Sequence, residues 1–256
     1  MLPIKEIEEV VREKSKTSLS IIHAFGHLKR TVIGAKWFSN LLGGTKEDAE
    51  KAYVSGLLHD IYRPPSGRLH DESLMEDYKQ AKEILEKFDL DEKLIEEITF
   101  PIREHREFST QDNILCQSVF LADKILENMG AMVIFRRNMY LGENPDYVGV
   151  PLKDAMFAQY KKRFSKFKEE MFPKQFFELT KYQYAWPVNY FEAYKKEEEW
   201  AVYLSEYCYE KGKEKVEFDQ AVKDFEPKFK KDEEYKKEAL AYIEGSKFKA
   251  FERLLL

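Results

Sequence analysis

The sequence predicts an all-α protein, and three observations predict it. Glycine and proline are sparse, 11 and 9 among 256 residues, so few chain reversals are enforced. Strictly alternating apolar and polar stretches are few. Apolar residues instead recur three and four apart, the spacing that lines one face of a helix. With 43% hydrophobic and 14% aromatic residues, the chain is long enough to bury one large core, or one domain plus an appendage.

The elements follow in order. Residues 4–16 carry Ile4, Ile7, Val10 and Val11 as the apolar stripe of a short amphipathic helix. The next helix is expected to start near Gly26, with Leu28, Val32, Ile33, Ala35, Phe38 and Leu41 at helical spacing and Gly43-Gly44 ending it. A helix over 45–58 takes Thr45 as its N-cap, with Glu47, Asp48 and Glu50 at the positive end of the dipole. Pro64-Pro65 and Gly67 then block continuation. Amphipathic helices are predicted at 72–88 and at 91–106, the second kinked at Pro101. Residues 111–129 read as a strongly apolar, buried helix interrupted by Asp123.

The segment 141–152 holds two prolines and two glycines and is the best boundary in the chain. The expected organisation is a core over 1–140, a linker over 141–152 and a helical extension over 153–256. That extension is rich in Lys, Glu, Phe and Tyr, and its breaks are expected near Pro173, Pro187, Gly212 and Pro227. Its aromatics, Phe176 to Tyr194, read as core or interface because they fall at helical spacing.

Charge bounds the partners. The 42 basic and 47 acidic residues are interspersed and give a net charge of −5, which argues against binding along a nucleic-acid backbone. A local basic pocket for a small phosphate ester is compatible with it. Cys116 and Cys208 stand far apart in apolar contexts, which fits a reducing compartment. The first residues lack the apolar core of a signal peptide, and no run approaches the roughly 20 apolar residues of a membrane span. A soluble cytoplasmic protein is the expectation.

All five histidines, His23, His27, His59, His70 and His105, fall within the first 105 residues. Most sit at predicted helix starts or ends beside apolar packing segments. An apolar run ends on the adjacent pair His59-Asp60, and both side chains are costly to bury unless something pairs with them. Asp123 interrupts a helix otherwise made for burial. His23 precedes His27 by four residues and would share its face on a continuous helix, a continuity that Gly26 puts in question.

The order His27, His59-Asp60, Asp123 resembles the H…HD…D signature of the HD-domain superfamily of metal-dependent phosphohydrolases. Local context agrees: His27-Leu-Lys-Arg30 resembles H-x-x-R, Gly56-Leu-Leu-His59-Asp60-Ile61 resembles the apolar-apolar-H-D-I stretch, and Ala122-Asp123-Lys124-Ile125 resembles A-D-[RK]-[LI]. Gly130-Ala131 through Arg136 resembles a G-A-x-x-x-x-R stretch of one branch. The similarity covers about residues 17–140.

The resemblance implies an all-α HD-domain helical bundle with a C-terminal helical extension. In it His27, His59, Asp60 and Asp123 bind a divalent metal ion: Mn, Fe, Co, Ni or Mg. His70 and His105 match the order of two further histidines that hold a second metal in some branches, giving one or two ions per chain. Their alternative role is catalytic, contacting phosphate or protonating the leaving oxygen, while Asp60 touches both metal and nucleophilic water. Arg30, Arg63, Arg68, Lys124 and Arg136 are the expected substrate-phosphate contacts. The implied activity is hydrolysis of a small phosphate ester, most plausibly a nucleotide. Two other readings compete: an HD-fold di-iron oxygenase, and a non-catalytic nucleotide- or metal-binding module. Self-association into a homo-oligomer is compatible with either.

Overall fold

The computed structural model describes residues 2–16, 20–62, 70–105, 113–166 and 172–255, with side chains at 70–74, 163, 165 and 166 outside that description. Among the described residues there are thirteen α-helices and no strand. They form two compact units, Met1–Leu126 and Glu127–Leu256.

The first unit contains α1 (Ile4–Ser15), α2 (Phe25–Leu41), α3 (Lys46–Leu58), α4 (His70–Leu85), α5 (Glu92–Glu104) and α6 (Ile114–Leu121). Its core is one cluster: Ile7 and Val11 of α1, Leu28 and Val32 of α2, Val54, Leu57 and Leu58 of α3, and Ala81, Ile84, Ile95, Ile98 and Ile102 of α4 and α5. The helix ends are set by local chemistry. Thr45 and Asp48 form a reciprocal capping box at the start of α3, as the sequence predicts. Asp91 accepts from the Leu94 amide to start α5, which runs through Pro101. Across the interior, the Ser55 hydroxyl of α3 donates to the Ile98 carbonyl of α5 at 2.7 Å, and Lys51 pairs with Glu97 at 2.6 Å.

The segment 111–129 departs from the single helix expected. The α-helix stops at Leu121 and a π-helical turn, Ala122–Glu127, carries on. Wider π turns of this kind are frequent at functional positions, and this one holds Asp123. Gly34 of α2 lies against it: a Cβ on Gly34 would stand 2.9 Å from Leu126 Cδ1 and 3.1 Å from Ala122 Cβ. A larger residue there would push the helix that carries His27 away from the turn that carries Asp123.

The second unit contains α7 (Met132–Glu143), α8 (Leu152–Lys166), α9 (Phe177–Lys195), α10 (Glu199–Lys213), α11 (Phe218–Asp224), α12 (Lys230–Ile243) and α13 (Phe248–Glu252). The sequence places the boundary at 141–152, but the units meet between Leu126 and Glu127, and 141–152 lies inside the second. The reason is the crossing of α7 on α10. A Cβ on Gly142 would stand 2.0 Å from the Tyr209 carbonyl oxygen, and one on Gly212 would stand 2.0 Å from that of Met139. The two helices meet backbone to backbone there, which binds α7 to the C-terminal helices.

Gly212 is the penultimate residue of α10, and the break expected near it falls between Lys213 and Phe218. Pro187 is inside α9. A proline leaves the carbonyl four residues earlier without its helical donor, and here that carbonyl, Gln183 O, accepts the Gly130 amide at 2.8 Å. Pro173 and Pro227 do fall between helices. The aromatics of α9 are core: Tyr190 is fully buried, with its hydroxyl bonded to Asn138 at 2.6 Å and Ser205 at 2.5 Å.

Candidate metal centre

Three helix ends of the first unit converge on one point. His27 is the third residue of α2, His59 is the C-cap of α3 with Asp60 directly after it, and His105 is the C-cap of α5. All four side chains are buried: His27 is 2% exposed, His59 0%, His105 3% and Asp60 6%. Asp60 is the hub. Its Oδ2 stands 3.4 Å from His27 Nε2 and 3.5 Å from His59 Nε2, and its Oδ1 stands 3.9 Å from His105 Nε2. The rings follow one another edge to face, with centroids 5.1 Å apart from His27 to His59 and 5.2 Å from His59 to His105.

The last turns of α3 and α5 orient their histidines by the same device. His59 Nδ1 lies 2.7 Å from the Gly56 carbonyl oxygen, and His105 Nδ1 lies 2.6 Å from that of Ile102. A carbonyl only accepts, so each Nδ1 carries the proton and each Nε2 presents its lone pair toward Asp60. This is the support a metal-ligating imidazole ordinarily has, its second nitrogen held by a backbone acceptor. The negative ends of two helix dipoles also favour a cation beside His59 and His105.

Asp123 sits in the π turn at 5% exposure. Burial works against its charge, but Lys124, joined by the imidazoles of His59, His105 and His27, holds its carboxyl well below the usual range. Lys124 Nζ lies 2.5 Å from Asp123 Oδ2. Burial above all, with the nearby charge of Lys124, pushes His105 well below the ordinary histidine value.

These residues fit a divalent metal ion. His27, His59 and Asp60 offer one ligand atom each, all within 4.8 Å of one another and all buried. Donors about 2.1 Å from a shared ion stand ~3 Å apart when adjacent, close to the spacings about Asp60 Oδ2. Two imidazoles with a carboxylate are compatible with the expected Mn, Fe, Co, Ni or Mg, and three N/O donors without a thiolate are not a cysteine-rich structural zinc site.

The remaining expected residues fall differently. Asp123 is coupled electrostatically to the three imidazoles but stands outside the three-donor group, its Oδ2 turned to Lys124. Arg30 lies one turn after His27 and is buried. His70 begins α4, and its side chain lies outside the described residues, as do Arg63 and Arg68 entirely. Arg136, expected as a phosphate contact, has protein partners in the second unit. It is 1% exposed, its Nη1 donates to the Glu127 carbonyl at 3.0 Å, and it pairs with Glu127 Oε2 at 3.5 Å. Tyr242 donates to the other oxygen of Glu127, so Arg136 belongs to a buried network of the second unit.

Sequence reasoning missed the π turn and left His23 unassigned. His23 lies on a 3₁₀ turn, Ile21–His23, and Ala24 breaks that turn from α2, so the continuous helix considered for His23 and His27 is not formed. The turn nonetheless carries the His23 ring to 5.6 Å from that of His27, edge on.

An all-α unit with buried imidazoles and a carboxylate gathered from helix ends is a helical metal-binding domain. Residues 24–128 match the HD domain family, which supports HD-domain superfamily membership for that segment. HD domains bind divalent metals and are mostly metal-dependent hydrolases. No curated protein and no solved structure matches the chain. No helix among the described residues is long and apolar enough to cross a membrane.

Proposed function

We propose that the HD domain is a divalent-metal-dependent phosphohydrolase acting on a small phosphate ester, with nucleotides as the substrate class to test first. The observation that carries this reading is the buried group of His27, His59 and Asp60 about one carboxylate oxygen, inside a segment that matches the HD family. Asp123 completes the ligand set in this reading, exchanging its contact with Lys124 for the metal.

The ion supplies Lewis acidity, lowering the pKa of a water and polarising a phosphoryl oxygen. The chain's own groups do the rest. Asp60 Oδ2 faces His27 and His59, while Oδ1 is directed toward His105 and is the oxygen placed to orient a nucleophilic water and take its proton. His105, neutral with its Nε2 lone pair inward, serves as a further ligand or an acceptor; of the two roles expected for it, protonating the leaving group fits its depressed pKa poorly. Lys124, once parted from Asp123, is a cation for a phosphoryl oxygen, with Arg30 on the neighbouring helix. The roles of Arg63, Arg68 and His70 rest on the sequence alone.

The test is phosphate and pyrophosphate release from a panel of nucleotides and simple phosphate esters. Chelator-stripped protein is reloaded with Mn²⁺, Co²⁺, Ni²⁺ or Mg²⁺, with Asp60→Ala as control. Release that needs both metal and Asp60 is expected. No release from protein shown to bind metal would overturn the hydrolase reading in favour of an oxygenase or a binding module.

A further inference from the structure

We infer that the second unit carries a binding site for an aliphatic polyamine, in a cleft between the start of α8, the end of α9 and the first turns of α10. The site is separate from the metal centre and does not depend on the phosphohydrolase reading.

The cleft is open and holds about 540 Å³. Leu152 and Val202 give it apolar wall, and the exposed carboxylates of Glu197, Glu199 and Glu206 stand around it. Lys153, the one cation among the lining residues, pairs with Glu197. Glu199 and Glu206 have no side-chain hydrogen bond or ion pair among the described residues. Lys228 is near, 4.1 Å above the Tyr203 ring, and pairs with neither. Other glutamates of α9 and α10 are answered by a lysine one turn on, Glu192 by Lys195 and Glu210 by Lys213.

An acidic rim alone is a common solvated surface, and Tyr194 sets this one apart. The residue lines the cleft and is only 6% exposed, yet its hydroxyl has no hydrogen-bond partner among the described residues. That oxygen is not sealed in the interior, so it opens onto the cleft. Burial, then the charges of Glu206 and Glu197, push the phenol up to about 12, so it keeps its proton near neutral pH. A protonated phenol accepts a hydrogen bond from an ammonium while giving its own hydrogen to a carboxylate. Spacing selects the ligand class. Glu199 and Glu206 are seven residues apart on α10, about 10 Å along its axis, too far to share one metal ion. Among the described residues, only His27, His59 and Asp60 bring three ligand atoms close enough for that. Val202 lies between the two glutamates on the same helical face. Ammonium groups joined by methylenes match this order of carboxylate, apolar contact and carboxylate, while the surplus negative charge repels phosphates.

The competing role is a solvated acidic face on which polyamines collect by charge alone. Calorimetric titration of spermidine into full-length protein at about 0.1 M salt, where diffuse attraction is screened, separates the two. Tyr194→Phe keeps the ring and every charge and removes only the hydroxyl. A hydrogen bond to a charged partner is worth about tenfold in affinity, and Tyr194→Phe is expected to weaken spermidine binding by about that factor. Glu206→Gln is expected to weaken it at least as much. Glu210→Gln removes a charge from the same helix, at a residue that does not line the cleft, and should leave the affinity at the wild-type value. Wild-type affinity in Tyr194→Phe would overturn the inference. So would equal losses in Glu206→Gln and Glu210→Gln, the mark of diffuse attraction. No saturable binding by the wild type, by calorimetry or by a shift of the unfolding midpoint, would overturn it outright.

Discussion

Asp60 is the residue on which the proposed centre turns, because one carboxylate faces three imidazoles through its two oxygens. Asp60→Ala and His59→Ala are each expected to lower metal affinity at least about 100-fold, the scale on which even supporting residues act. Helical circular dichroism should stay near wild type. Retained affinity in both variants, measured by titration calorimetry, would remove them from the ligand list. His105→Ala tests the metal count: a fall from two ions to one by elemental analysis assigns His105 to a second site, and an unchanged count excludes it. The residue types of this centre were legible in the sequence because a histidine and an aspartate side by side at the end of an apolar run are costly to bury alone. The contact of Arg136 with Glu127 was not. An arginine after Ala-Asp-Lys reads the same in sequence whether it meets a phosphate or a carboxylate 9 positions back, and only the fold shows Glu127 as its partner. The nearness of His23 to His27 arises across a 3₁₀ turn, a geometry that helical spacing does not describe.

Single helices are held by devices that sequence spacing conveys unevenly. Helix α1 is fastened by a triad in which Lys29 donates to Glu8 at 2.7 Å and to Tyr53 at 2.9 Å, and Tyr53 donates to Glu8 at 2.8 Å. Burial pushes the Glu8 carboxyl up, but hydrogen bonds from Lys29 and Tyr53, with the charge of Lys29 and Arg12, bring it net below its ordinary value of 4.5. A carboxyl with a depressed folded pKa stabilises fully above its unfolded value, and that stabilisation fades as pH falls through the folded one. Denaturant midpoints measured from about pH 6 down to pH 3 should therefore fall less steeply in Glu8→Gln than in wild type. Parallel curves would show that the triad is not pH-linked. The crossing of α7 and α10 makes a stronger demand. Ala at Gly142 or Gly212 puts a Cβ 2.0 Å from a carbonyl oxygen, a clash only backbone movement relieves. Each variant is expected to lose about 3 kcal/mol or more in equilibrium unfolding, the upper range for overpacking. A loss under about 1 kcal/mol would mean that the helices separate cheaply. In sequence, a glycine that ends a helix and one that lets two helices touch look alike; Gly212 does both, lying against Met139 one residue before α10 ends.

At the scale of the whole chain, the all-α class was legible from periodicity and from the scarcity of glycine and proline, and the compact units divide after Leu126. That division has a consequence for metal linkage. His27, His59, Asp60, His105 and Asp123 all precede it, so metal binding stabilises the Met1–Leu126 unit directly. A ligand that binds only the folded form stabilises it by about 2.7 kcal/mol at 100 times its dissociation constant. Hydrogen exchange with and without saturating Mn²⁺ should show protection rising in α2, α3 and α5, whose ends supply the imidazoles. The largest gain is expected at the last turns of α3 and α5, where the Gly56 and Ile102 carbonyls hold the His59 and His105 rings. Asp60→Ala should abolish that gain without lowering the metal-free protection of the same helices, since its core neighbours Val54, Leu57 and Ile98 are untouched. Equal gains in Asp60→Ala and wild type would place the ion elsewhere, and no gain in wild type would mean that these helix ends do not hold one.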